Sequence, residues 1–92
     1  MMPSDLETRR RRLAYRAGHR GTKEMDWLLG RYAAAMLPTM NPTDLDRVER
    51  LLEVADPRLL CWILHPEMLD EEEFAGLIAV LRRFHKLDEP AA

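Results

Sequence analysis

Apolar residues in this chain recur every three or four positions, and glycine and proline break that recurrence into short segments. A helix buries one face at that spacing, whereas a half-buried strand needs strict alternation, and no alternating or β-branched run occurs. The predicted fold class is therefore all-α: a compact antiparallel bundle of about five short helices. At 92 residues the chain has room for one domain, expected to span 1–92 with an ordered core over about 4–87 and a short C-terminal tail.

The segment signals are specific. Ser4-Asp5-Leu6-Glu7 reads as a capping box opening a first helix, with Leu6, Leu13 and Ala17 on one face and Gly18 ending it. A second helix starts near Thr22 and carries Met25, Leu28, Leu29, Tyr32 and Met36 as far as Pro38, which ends or kinks it. Asn41-Pro42-Thr43-Asp44 caps a third, which runs to about Ala55 with Asp46 and Arg50 placed for an i,i+4 pair. Asp56-Pro57 reads as an N-cap followed by proline at the first helical position, and Pro66 closes this short, apolar fourth helix. Asp70 to Glu73 stand at the start of a fifth, with Arg82, Arg83 and Lys86 at its far end, matching the helix macrodipole.

With 47% hydrophobic and 33% charged residues the chain has the composition of a globular protein. One cysteine, Cys61, excludes an internal disulfide and fits a reducing compartment, and its apolar neighbours favour a packing role over a reactive thiol. No apolar run approaches the roughly 20 residues needed to cross a bilayer. The basic N-terminal run has no apolar stretch after it, unlike a secretory signal. Asp5 and Glu7 speak against a mitochondrial presequence, so a bacterial cytoplasm is expected over a mitochondrial matrix.

Catalytic constellations are missing from the pattern. His19, His65 and His85 share no ligand spacing with one another or with Cys61, so no metal site is expected. There is no phosphate-binding glycine loop, nucleotide fingerprint or Ser/His/Asp set, and the chain is expected not to be an enzyme. Net charge is only −2, but it is unevenly spread: residues 1–32 hold eight Arg/Lys against four Asp/Glu, and residues 33–92 hold six against twelve. Arg9 to Arg12, with Arg16 and Arg20, raise the alternative of a small nucleic-acid-binding or regulatory helical protein. Consecutive helical residues fan out around the axis and the acidic remainder repels phosphate, so a solvated basic helix or a surface for an acidic protein is preferred.

The most specific segment is Arg20-Gly21-Thr22-Lys23-Glu24, followed by Asp26. A glycine in a turn lets another backbone approach, and Arg20 and Glu24 flank it with a five-donor fork and a pure acceptor. Spacing alone fits equally a plain turn, with Thr22 as cap and Glu24 placed for the helix dipole. Beyond spacing, Arg12-Leu13 and Tyr15, the Arg20-Gly21-x-x-Glu24 signature with Asp26, and Arg50-Leu51-Leu52-Glu53 leading into Asp56-Pro57 and Trp62 together resemble the succinate dehydrogenase flavinylation factors, the SdhE or assembly factor 2 type. Cys61 and His19 depart from that pattern.

The resemblance implies a five-helix assembly factor that binds the flavoprotein subunit of succinate dehydrogenase, with fumarate reductase as a further candidate client, and promotes covalent attachment of FAD. The flavin and the residue that links it would belong to the client, and no cofactor would be held stably by this chain. Arg20, Gly21, Glu24 and Asp26 would form the partner-binding surface, with no nucleic acid and no membrane insertion involved.

Overall fold

A computed structural model describes residues 5–88. Within them α1 is Asp5–Gly18, α2 is Lys23–Met36, α3 is Pro42–Leu52, α4 is Asp56–Leu64 and α5 is Ala75–Phe84. Short 3-10 turns at Leu37–Thr39, Pro66–Met68 and Glu72–Phe74 connect them, and no strand occurs among the described residues. Ser4 and the segment after Asp88 fall outside the described residues, and with them the expected capping box and tail.

The caps explain why each segment begins where it does. Thr22 accepts from the Met25 amide at 3.3 Å and Asn41 from the Asp44 amide at 2.8 Å, so each side chain satisfies an amide that the first helical turn leaves open. Pro38 ends α2 as expected, since it removes a donor, and the chain tightens into a 3-10 turn. Three boundaries differ from expectation, the first being α5, which starts at Ala75 with no acidic residue in its first turn rather than at Asp70 to Glu73. Helix α3 stops at Leu52 rather than near Ala55, and the N-cap of α4 is Ala55, with no side-chain cap from Asp56. Leu52, Val54 and Asp56 in this connection are all engaged by Arg20, as described below.

One core joins the helices. Leu13 and Ala17 of α1, Met25, Leu29 and Ala33 of α2, Leu45, Val48 and Leu51 of α3, Leu59, Trp62 and Ile63 of α4, and Ile78 and Leu81 of α5 are all buried. Met36, expected on the apolar face of α2, is 40% exposed, and Leu37 takes the buried place instead. Cys61 is half-buried and unpaired.

Helices α1 and α2 form an antiparallel hairpin. Gly18 at the end of α1 lies against Gly30 in α2, while Arg10 near the start of α1 donates to the carbonyl of Met40 beyond the end of α2 at 2.7 and 3.0 Å. The small residues let the backbones touch. A Cβ on Gly30 would lie 3.0 Å from the Gly18 Cα, an atom that can move only if the hairpin opens. Gly30→Val is therefore expected to cost about 2 kcal/mol through overpacking. Urea titration should show a lower midpoint with an unchanged slope, and a wild-type midpoint would mean that the hairpin is not closely packed there.

The charge asymmetry is largely resolved inside the fold. Arg9 meets Asp46 at 2.5 Å and Glu49 at 3.6 Å, Arg16 meets Glu53 at 3.1 Å, and Arg50 meets Glu73 at 3.3 Å. The expected Asp46–Arg50 pair does not form: Asp46 pairs with Arg9 of α1, and Arg50 with Glu73 of the 3-10 turn before α5. Asp70 and Glu71 face Arg58 at 3.1 and 2.9 Å, ahead of the 3-10 turn that leads into α5. The basic face of α1 is thus partly neutralised by the acidic face of α3, which removes much of the field a nucleic-acid reading needs.

Candidate functional site

The corner between α1 and α2 holds the four residues singled out in the sequence, and the fold divides them into two pairs. Gly21 has φ +111, a backbone region that residues with a Cβ rarely enter, and no atom lies within 4 Å of the place its Cβ would occupy. Glu24, in the first turn of α2, is exposed and has no hydrogen-bond or ion-pair partner among the described residues. These two face outward.

Arg20 and Asp26 face the scaffold. The Arg20 guanidinium donates through Nε to Asp56 at 2.5 Å, and its two terminal nitrogens donate to the carbonyls of Leu52 at 2.9 Å and Val54 at 2.7 Å. Its side chain is only 11% exposed. In the free chain, then, the Arg20 fork is directed at acceptors of its own scaffold. Carbonyls at the C-terminus of α3 lack helical partners, and a planar five-donor fork satisfies two of them together with a carboxylate. Asp26 is likewise engaged, its Oδ1 accepting from the Arg20 amide at 2.5 Å and the Gly21 amide at 3.2 Å. It closes the turn that places Gly21 in its unusual conformation.

Each part depends on the next. Asp26 and Thr22 fix the backbone of the corner, Arg20 ties that corner to the α3–α4 connection, and Gly21 and Glu24 are thereby held at a defined place on the surface. Beside them Tyr15 stacks on His19, with ring centroids 3.9 Å apart, and the His19 Nδ1 donates to the Tyr15 carbonyl at 2.7 Å. Tyr15 is 65% exposed. A shallow, mainly polar cleft of about 470 Å³ runs from this pair to Asp56 past Arg16 and Glu53.

Sequence reasoning did not find Asp56 as the partner of Arg20, nor the Tyr15–His19 stack, nor Trp27. Asp56 carried a strong competing signal as a helix cap before proline. The stack could have been found from its i,i+4 spacing on α1. Among the described residues no group of three or more His, Cys, Asp or Glu side chains is placed to hold a metal ion. No described helix is long and apolar enough to cross a membrane.

These features define a small helical protein whose candidate site is a rigid surface corner rather than an enclosed cavity. Residues 11–85 match the family described as flavinator of succinate dehydrogenase. The chain belongs to that family. Among its relatives, an FAD assembly factor SdhE from Acetobacter pasteurianus is 44% identical over 74 residues, covering 80% of this chain and 68% of the relative. A mitochondrial succinate dehydrogenase assembly factor 2 from Dictyostelium discoideum is 31% identical over 87 residues, covering 95% of this chain and 61% of the relative. The corresponding protein of Yarrowia lipolytica is 38% identical over 58 residues, 63% of this chain and 40% of its own length. The chain thus spans between two fifths and about two thirds of these relatives. No solved structure matches it.

Proposed function

We propose that this chain is a non-enzymatic assembly factor that binds the flavoprotein subunit of succinate dehydrogenase and promotes covalent attachment of that subunit's FAD. Fumarate reductase is a second client to test. The observation that carries this reading is the family match over residues 11–85 together with the outward corner of Gly21 and Glu24 that lies within it. The flavin belongs to the client, and this chain acts on the client's conformation.

Such a helper works by differential binding. It must prefer the form of the client in which attachment proceeds, since equal affinity for all forms shifts no equilibrium. A pre-ordered corner suits that role, because little backbone freedom is lost when it docks. The backbone at Gly21 can approach the client closely, and Glu24 supplies an acceptor with no internal claim on it.

Co-expression with the client flavoprotein subunit tests the reading directly. In-gel flavin fluorescence of the denatured client should rise when the chain is present, and equal fluorescence with and without it would overturn the proposal. Glu24→Lys refines the test. The side chain is exposed and unpartnered, so the stability cost is confined to reversing a charge at the N-terminus of α2, about 1 kcal/mol. Client affinity should fall about tenfold or more through charge reversal at the contact, and unchanged affinity would remove Glu24 from the surface.

A further inference from the structure

One turn beyond Glu24, helix α2 carries Trp27, which is 50% exposed. Its ring is nevertheless held from two directions. The His85 ring lies 4.6 Å away between centroids, and the Arg31 guanidinium lies 5.9 Å from the ring centre. His85 is itself fixed, its Nε2 donating to the Leu28 carbonyl at 2.7 Å and its ring meeting Phe84 edge to face at 5.0 Å. Phe84 is 39% exposed and stands edge-on to the buried Tyr32 at 5.7 Å. Three partly exposed rings therefore form a continuous ladder from α2 to the end of α5.

An exposed tryptophan clamped in one orientation loses little freedom on binding and offers a large contact area. Cations flank the ring along its helix, and the carboxylate of Glu24 lies on the side toward the corner. Lys23 and Arg31 lie four residues before and after Trp27, on the same helix face, and neither has a carboxylate partner among the described residues. Arg9, Arg16, Arg50 and Arg58, by contrast, each have one. Glu24, three residues before Trp27, places the ladder directly beside the Gly21 corner.

We infer that the Trp27–His85–Phe84 ladder is a second contact patch for the client flavoprotein subunit, continuous with the Gly21 and Glu24 corner. It receives an apolar side chain of the client flanked by carboxylates. This rests on the function proposed above: charge complementarity gives the chemistry of the segment, and continuity with the corner gives the partner.

The test compares client affinity, by titration calorimetry with purified flavoprotein subunit, for the wild type and for Gly21→Arg, Trp27→Ala and Arg31→Glu. Trp27→Ala is expected to weaken binding at least about tenfold, as truncation of a central aromatic anchor does. Arg31→Glu is expected to weaken it about fivefold at low salt, with the difference shrinking as salt is raised. If Trp27→Ala loses thermal stability through its contact with His85, Arg31→Glu decides alone, since among the described residues its guanidinium meets only the exposed Trp27 ring.

Binding within about twofold of wild type for both ladder variants, with Gly21→Arg inactive, would overturn the inference and leave the proposed function standing. No binding by the wild type would end both. A self-association lost in Trp27→Ala while client affinity is unchanged would assign the ladder to a second copy of the chain and overturn the client assignment.

Discussion

Arg20→Ala is expected to lower the thermal midpoint by about 10–20 °C, given a loss of about 2–3 kcal/mol and the sensitivity of a domain this size. The loss comes less from the removed attraction than from what is left behind. Two carbonyls and the Asp56 carboxylate would be left without the donors they now have at 2.9, 2.7 and 2.5 Å, in a place where the arginine side chain is 11% exposed. The figure stands below the full cost of breaking a buried ion pair because Asp56 is 24% exposed and can recover some hydration.

Arg20→Lys should recover less than half of the loss, since an ammonium keeps the charge but cannot reach three acceptors arranged around a planar fork. Differential scanning calorimetry of the two variants measures this, and midpoints within about 3 °C of wild type would show that the brace contributes nothing. Loss of client binding in Arg20→Ala is expected to follow the folded fraction as temperature is varied. A loss that persists where the variant is fully folded would instead make Arg20 a direct contact.

Local signals in the chain announce most of this architecture, and the departures have a common physical origin. Thr22, Asn41, Pro38 and Pro66 act on their immediate neighbours, so their effects can be read from the order of residues. Asp56 and Asp46 each had a convincing local use, as a cap and as an i,i+4 partner, and each is instead taken by an arginine 36 or 37 positions away. A three-bond fork onto Asp56, Leu52 and Val54 outweighs a single cap bond at the start of α4. The Arg-Gly-x-x-Glu signature was legible as a unit, but its division of labour was not. Whether an arginine points outward depends on acceptors that only the folded connection between α3 and α4 supplies. Trp27 escaped for another reason: it lies off the apolar stripe of α2, and the ring of His85 that holds it comes from the far end of the chain.

Gly21→Arg should separate the two roles of the corner, abolishing client binding while leaving the bundle helical. Two costs arise and they differ in kind. Any side chain at φ +111 strains the backbone, by about 1–2 kcal/mol, and lowers the midpoint by roughly 5–15 °C. The arginine itself meets no obstacle within the molecule, because nothing lies within 4 Å of the Cβ position, so its length projects into the space a partner would occupy. Client affinity is expected to fall at least about 100-fold, equivalent to about 2.8 kcal/mol, with in-gel flavin fluorescence falling in step. Gly21→Ala carries the same strain without the bulk and should retain affinity within about tenfold. Circular dichroism establishes that both variants remain helical. Equal loss of binding in the alanine and arginine variants, each matched by an equal fall in midpoint, would reduce Gly21 to a residue that shapes the bend. Retained binding in Gly21→Arg would show that no partner approaches this corner, because an arginine at an intimate contact between two backbones leaves them no room to meet.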